Sequence, residues 1–361
     1  MKILHVVGAR PNFMKVAPVM TALARGRGVV QVLVHTGQHY DAKMSNVFFH
    51  QLGLPEPDFN LEAGSSSHAV QTAEIMMRLE PVLIREKPNA VLVYGDVNST
   101  VAAALVCAKL LVPVGHVEAG LRSYDHTMPE EINRIVTDRL AELLFTPSAD
   151  ADKNLMSEGV PEDRIHLVGN VMIDTLVRLL PRADCSSLLQ ELSLSDQRYI
   201  LVTLHRPSNV DDARQLTEIL CALNEIAGQV PVIFPVHPRT RQVMRELASL
   251  EFSSGLHLTA PIGYLEFLAL QKGAALVITD SGGIQEETTY LGVPCLTVRE
   301  NTERPITLEV GTNVLVGRDM ARLRDETYRV LSGKGRTGGI PPLWDGKAGD
   351  RIADILLALS V

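Results

Sequence analysis

Cysteine, aromatic side chains and long apolar runs are all scarce in this chain, and each shortage removes a class of function. Its four cysteines, Cys107, Cys185, Cys221 and Cys295, are far apart and form no CxxC pair. Neither a disulfide framework nor a local zinc site therefore organises the fold, and a reducing, cytoplasmic setting is expected. Aromatic residues make up 4%, too few for the stacking platforms that hold single-stranded nucleic acid. A formal net charge of -8 opposes the basic stripe of a nucleic-acid surface, so no nucleic-acid partner is expected. No apolar run approaches the ~20 residues that cross a bilayer, so no membrane partner is expected either. The opening MKILHVVGARPNF sets an apolar strand beside a Gly-Arg-Pro loop and does not read as a secretion signal. HExxH, GxGxxG and GxxxxGK[ST] are all missing. Metal, NAD and ATP thus lack a warrant, and no cofactor is expected.

What is present is a repeated alternation. KILHVV, VVQVLVH, AVLVYGD, VPVGHVE and LLFTP recur between amphipathic stretches in the first half. Continuous apolar runs of this length suit strands of a parallel sheet covered on both faces. The pattern restarts with YILVTLH, VPVIFPVH, GLHLTAP, AALVITDSGG, VPCLTV and TNVLVG. The fold class is therefore α/β, with two Rossmann-like doubly wound domains, and 361 residues exceed the usual size of one core. The boundaries are placed at 1–175 for the first domain, 176–345 for the second and 346–361 for a terminal helix. That helix is expected from about Arg351 and can cap either domain. The expected ligand site is a cleft between the domains.

The clearest anion signal is AALVITDSGGIQEE, a buried strand followed by Ser281, Gly282 and Gly283 at a helix start. Free first-turn amides and the helix dipole favour a diphosphate there; an ordinary Ser-capped turn is the alternative. Glu287, in preference to Glu286, is placed to accept ribose hydroxyls one turn later. A second cradle candidate is GARPNFMK, with Gly8, Arg10 and Lys15 and a helix expected near Pro11. The two cations also read as a solvated surface pair. Asp96 and Glu118 end the first-domain runs AVLVYG and VPVGHV, where the strands of an open α/β sheet present ligand-binding groups. In MPEEINRIVTD, Glu130 and Arg134 share a helix face and Glu131 is turned roughly 100° away, so Glu130 is chosen as the site residue. His205 and Arg206 follow YILVTL, and His237 follows VPVIFPV; each histidine also reads as a hydrogen-bonded loop residue.

In order, GARPNFMK, TGQHYD, YGDVNST, GHVEAGLRS, MPEEINRIVTD, VGN, TLHRPSN, HPRT, TDSGGIQEE and RENTERPITLEVG resemble the non-hydrolysing UDP-N-acetylglucosamine 2-epimerases. The resemblance runs from the first strand to the terminal helix. It implies the GT-B architecture, two Rossmann-like domains facing a cleft, with the terminal helix returning to the first domain and a homodimeric assembly. The implied reaction is reversible exchange of UDP-N-acetylglucosamine and UDP-N-acetylmannosamine through 2-acetamidoglucal, without a redox cofactor. It assigns Asp96, Glu118, Glu130 and His205 to acid/base work, and Arg10, Lys15 and Arg134 to the sugar diphosphate, while Arg206, from its own chemistry, can bind phosphate or carboxylate. Ser281, Gly282 and Gly283 match phosphate binding, Glu287 the ribose, Phe267 the uracil neighbourhood and His237 a position near the nucleotide. Two segments depart from the family. Ser208 stands where His-Arg-x-Glu-Asn commonly has Glu, and GQHYDAKM differs from the segment associated with an activating second substrate site. GQHYDAKMS and LRSYDHTMPEEINRI also resemble the branch that epimerises UDP-2,3-diacetamido-2,3-dideoxyglucuronate. A hydrolysing 2-epimerase, a GT-B glycosyltransferase and a non-enzymatic UDP-sugar binder are the other readings.

Overall fold

The computed structural model describes residues 1–37, 49, 51–195, 197–246 and 251–359. The GQHYDAKM segment beyond Gly37 lies outside the described residues. The chain forms two compact units, one of Met1–Thr175 with Pro342–Val361 and the other of Leu176–Pro341.

Among the described residues, the first unit is built on strands β1 (Lys2–Val7), β2 (Val30–His35), β3 (Phe59–Asn60), β4 (Ala90–Tyr94), β5 (Val114–Val117), β6 (Leu143–Thr146) and β7 (Ile165–Leu167). They lie in the order β3-β2-β1-β4-β5-β6-β7, and the paired strands run parallel. Parallel strands need crossovers, and helices such as Arg10–Leu23, His68–Glu86 and Asn98–Leu110 supply them. Ile3, Leu4, Val91, Leu92 and Val93 are fully buried because helices cover both faces. From β1 the chain builds outward through β2 and β3, then returns to the other side of β1 with β4. The carboxyl ends of β1 and β4 therefore form a topological switch point, where ligands of such sheets bind.

The second unit repeats this plan with β8 (Ile200–Thr203), β9 (Val232–Pro235), β10 (Leu256–Thr259), β11 (Leu276–Thr279), β12 (Cys295–Thr297) and β13 (Asn313–Leu315). Their order is β10-β9-β8-β11-β12-β13, so the switch point lies between β8 and β11. The helices Ala213–Ala227 and Met320–Leu331 pack one face of this sheet through Leu216, Ile219, Leu220, Leu223 and Leu323.

The runs anticipated as strands all form strands. The two strands that the sequence did not signal, β3 and β7, are edge strands of two and three residues with partly exposed side chains. They carry no apolar run because only one side of each is paired.

The terminal segment completes the first unit. Its helix is Ala348–Ala358, three residues earlier than the sequence suggested. Asp174 accepts the amides of Ala348 at 3.1 Å and Gly349 at 2.7 Å, satisfying the helix start. Gly349 lies so close to Pro18 that a Cβ would sit 2.9 Å from its backbone. Ahead of the helix, Trp344 is 2% exposed and donates Nε1–H to the Pro147 carbonyl at 2.9 Å. Trp344→Ala should lower the unfolding free energy of the first unit by about 3–5 kcal/mol, and Trp344→Phe by about 1 kcal/mol. Urea unfolding followed by hydrogen exchange at 342–358 measures both; wild-type exchange in Trp344→Ala would contradict this anchoring.

Candidate active site

At the first switch point, the turn after β4 is held from several sides. Asn12 accepts the amides of Gly8 and Ala9, each at 3.0 Å, and donates to the Tyr94 carbonyl at 2.8 Å. The ends of β1 and β4 are thus tied by one buried amide side chain. Gly8 has no room for a Cβ, which would lie 2.0 Å from Ser99 Oγ. Because Asn12 takes the Gly8 and Ala9 amides, those two donors of the GARPNFMK segment are already satisfied. Its helix starts at Arg10 rather than Pro11, with Arg10 exposed and Lys15 5% exposed.

Lys15 forms an ion pair with Glu118. Glu118, 5% exposed, follows β5 with φ of 76°, a left-handed conformation that costs a non-glycine residue of order 1–3 kcal/mol. The amides of Glu118 and Ala119 both donate to the Phe145 carbonyl at 3.0 Å, holding the strained turn against β6. Gly95 has φ of 63°, and a Cβ there would lie 2.6 Å from Lys15 Nζ. The glycine therefore lets the ammonium reach across the β4 turn.

The helix Pro129–Leu140 brings the next charges. Arg134, 2% exposed, pairs with Asp96 Oδ2 and Glu131 Oε2, both at 2.6 Å. Glu131 is fully buried and also accepts from the Ser123 amide, the Ser123 hydroxyl and the Tyr124 amide at 2.9–3.1 Å. Asn133 donates to the Asp96 carbonyl at 2.9 Å. Glu130, the residue singled out from the sequence, is half-buried in the first turn of this helix. Helical spacing separates the faces of Glu130 and Glu131 without saying which one meets the loop.

At the second switch point the organising side chain is Asp280, which the sequence reading left without a role. Fully buried, it accepts the His205 amide at 3.1 Å, the Arg206 amide at 2.9 Å and Asn209 Nδ2 at 3.0 Å. His205 Nδ1 lies 3.0 Å from its Oδ1, with the imidazole side chain 57% exposed. Burial alone would raise the Asp280 carboxyl, but His205, Asn209 and the Arg206 amide hold it below its ordinary value. Ser281 precedes the helix Gly282–Leu291, whose first-turn amides lack intrahelical acceptors by geometry. A Cβ on Gly282 would lie 2.3 Å from Arg304 Nη1 and 2.8 Å from Glu303 Oε1. Beneath this turn, Arg304 pairs with Glu286 at 2.7 Å and with Glu303, while Glu303 pairs with Arg299 at 2.8 Å and lies 3.8 Å from Arg206.

Glu287 is 2% exposed and accepts from Tyr264 Oη at 2.7 Å. Burial pushes its carboxyl up to about 7, against the lowering effect of that hydroxyl. Tyr264 shares the helix Tyr264–Gly273 with half-buried Phe267, which packs among Tyr199, Ile284 and neighbouring apolar residues. His237 is exposed after β9. The first unit therefore gathers Lys15, Asp96, Glu118 and Arg134, and the second gathers His205, Arg206, Ser281, Gly282, Gly283 and Glu287.

A sequence profile described as UDP-N-acetylglucosamine 2-epimerase matches residues 21–357. The chain belongs to the UDP-N-acetylglucosamine 2-epimerase family. Its fold class is GT-B, and the family's members are isomerases. It is 41% identical to a UDP-N-acetylglucosamine 2-epimerase of Methanococcus maripaludis over 98% of each chain. It is 44% identical to a UDP-2,3-diacetamido-2,3-dideoxy-D-glucuronate 2-epimerase of Pseudomonas aeruginosa, over 99% of this chain and all of the relative. The crystal structure of the Methanocaldococcus jannaschii UDP-GlcNAc 2-epimerase with UDP-GlcNAc and UDP matches at a TM-score of 0.90 and 41% identity. That match covers 99% of this chain and 100% of the other.

Two outcomes follow from the geometry of this family member. Gly95→Ala should displace Lys15 and lower turnover on the order of 100-fold, the cost of a misplacement of about 1 Å within an active site. Turnover within a few-fold of wild type would contradict the close approach. A Glu287 carboxyl raised to about 7 binds its proton more tightly in the folded state than in the unfolded one. Its charged form therefore lowers stability as pH rises from its ordinary value through about 7. Glu287→Gln should match wild type near pH 4, within the range of protonated carboxyls, and exceed it by up to about 3 kcal/mol at pH 8. Denaturant titration at the two pH values measures the difference, and a pH-independent gap would contradict the raised carboxyl.

Proposed function

We propose that the protein interconverts UDP-N-acetylglucosamine and UDP-N-acetylmannosamine by eliminating and re-adding UDP. A carboxylate of the first unit takes the C2 proton. The C2–H electron pair becomes the second bond between C1 and C2 while the C1–O bond breaks, and the departing diphosphate keeps its bonding pair. The neutral glycal is 2-acetamidoglucal. Return of a proton to the opposite face of C2, with UDP adding back at C1, gives the epimer without net redox change.

The observation that carries this reading is the strained, buried Glu118 paired with Lys15 beside the Asp96–Arg134 pair. Such paired carboxylates at a parallel sheet's switch point suit proton transfer at two positions. Asp96, Glu118, Glu130 and His205 are assigned to the proton steps, and Arg10, Lys15, Arg134 and Arg206 to the sugar diphosphate. Ser281, Gly282 and Gly283 are assigned to phosphate, Glu287 to ribose, and Phe267 and His237 to the nucleotide's surroundings. A second reading, 2-epimerisation of UDP-2,3-diacetamido-2,3-dideoxyglucuronate, is favoured by the 44% identity to the Pseudomonas aeruginosa enzyme. Under either reading the product serves cytoplasmic synthesis of surface-polysaccharide precursors.

A homodimer is part of the proposal. On the helix His68–Glu86, Val70, Met77 and Ile84 are 51%, 61% and 57% exposed. Their seven-residue spacing aligns them on one face, and a self-complementary apolar stripe suits a two-fold contact.

Incubation with UDP-N-acetylglucosamine in deuterated water, followed by NMR, should yield epimer carrying C2 deuterium with little free UDP. No C2 exchange rejects that sugar and turns the test to the diacetamido uronate; stoichiometric UDP and free sugar identify hydrolysis. Asp96→Asn and Glu118→Gln should each lower kcat by 100-fold or more, on the order of a general acid/base contribution, with UDP affinity little changed. Light scattering should give twice the chain mass for wild type and the single chain mass for Met77→Glu/Ile84→Glu. A monomeric wild type would remove the dimer from the proposal.

A further inference from the structure

The contacts behind the first unit's acidic turn lead to a side chain with no part in the proton steps above. His116 lies on β5, fully buried, two positions before Glu118. Its Nε2 is 2.8 Å from the Gly95 carbonyl oxygen, and its Nδ1 is 2.6 Å from Asp138 Oδ1. A main-chain carbonyl only accepts, so Nε2 carries a hydrogen. Asp138 is ionised as the ion-pair partner of the buried Arg122 guanidinium, 2.7 Å away. Its other oxygen already accepts from Arg122 Nη1 at 2.7 Å and the Gly120 amide at 3.1 Å. The partner of Nδ1 is therefore also an acceptor, and both ring nitrogens donate.

We infer that His116 is a positioning residue for the acid/base turn, an imidazolium that grips the Gly95 carbonyl from behind and thereby fixes Asp96. The inference rests on the assignment of Asp96 and Glu118 to proton transfer. Three consecutive carbonyls of this turn are taken by side chains. Tyr94 O accepts from Asn12 at 2.8 Å and Thr100 at 3.0 Å, Gly95 O from His116 at 2.8 Å, and Asp96 O from Asn133 at 2.9 Å. The donors on either side are neutral amides and a hydroxyl. The bond to Gly95 is charge-assisted, and such bonds are shorter and roughly twice as strong as neutral ones. Gly95 has φ of 63°, so the grip holds a backbone conformation as well as a position. A neutral imidazole would aim a bare nitrogen lone pair at one of the two acceptors and release either Gly95 or Asp138.

The same ring places a positive charge behind the acidic pair. The charged groups around it are Asp138 on the helix Pro129–Leu140, Arg122 in the loop after β5, Lys15 over Gly95, Glu118 on the same strand's end, and Arg134 on Asp96. Asp138 offsets the ring locally and is itself shared with Arg122. Removing the ring's charge therefore leaves the carboxylates less stabilised when ionised.

The decisive measurement is two-bond proton–nitrogen NMR of uniformly nitrogen-15-labelled full chain, with the His116 signals assigned by their loss in His116→Gln. Both ring nitrogens are expected to carry hydrogens in the folded chain; one protonated and one bare nitrogen would overturn the inference. In kinetics with whichever UDP-sugar turns over, His116→Gln should lower kcat about 10- to 100-fold, within the general acid/base range, with KM within about 3-fold. The acidic limb of its kcat profile should move to higher pH. An unshifted limb with a lowered melting temperature would mean a merely structural residue and would overturn it. UDP titration by calorimetry checks that the second unit of the variant is folded. If wild type turns over neither sugar, the proposed reaction fails while the NMR result on wild type still decides the state of the ring.

Discussion

A guanidinium removed from water has to be met by anions, and Arg134 sets this demand for the first unit. At 2% exposure it lies between Asp96 and Glu131. Deleting one partner of such a buried pair costs about 3–5 kcal/mol, because the remaining charge stays buried without compensation. Several features follow from this one constraint. Glu131 is committed to Arg134, and its remaining capacity is spent on Ser123 and Tyr124, which shapes the loop leading into the helix Pro129–Leu140. Asp96 is pulled towards that helix, so the turn after β4 cannot relax independently. The groups proposed for proton transfer thus have an orientation already required to keep Arg134 in the interior.

The second unit meets the same electrostatic problem with different residues. Arg299 and Arg304 are 8% and 7% exposed, and Glu286 and Glu303 are buried with them. Their pairs lie under Gly282, so the turn expected to receive an anion rests on a balanced bed of charge. In both units one buried side chain also gathers the backbone at the switch point. Asn12 accepts two successive amides in the first, and Asp280 accepts two in the second. The neutral amide and the carboxylate do the same geometric work. Only Asp280 adds a charge, and His205 Nδ1 lies 3.0 Å from it.

Much of this was legible in the sequence because buried parallel strands need unbroken apolar runs, and those runs marked β1, β2, β4 to β6 and β8 to β13. The residues following the runs were legible for the same reason: a strand's carboxyl end is where Asp96, Glu118, His205 and Ser281 had to be. What stayed hidden depends on pairing across sequence distance. Nothing local tells that Glu131 rather than Glu130 turns inward to Ser123, since both occupy the first turn of one helix. Arg304 meets Gly282 only because the loop after β12 folds beneath it. Asp280 reads as an ordinary strand-end carboxylate until the His205 and Arg206 amides are seen to converge on it. The strain at Glu118 was invisible because a left-handed non-glycine residue leaves no compositional mark.

The return of Pro342–Val361 to the first unit gives the chain an order of assembly. The second unit is contiguous in sequence, so all of its strands leave the ribosome together and its core can close as soon as they do. The first unit waits with the Pro147 carbonyl, the Asp174 carboxylate and the surface around Pro18 uncovered until Pro342–Val361 is synthesised. A chain cut short anywhere in that stretch carries a finished second unit beside an unsealed first one. Exposed apolar surface of that kind is what chaperones and proteases recognise. The placement of Trp344 thus makes synthesis of the segment that follows the second unit a condition for closing the core that holds Asp96 and Glu118.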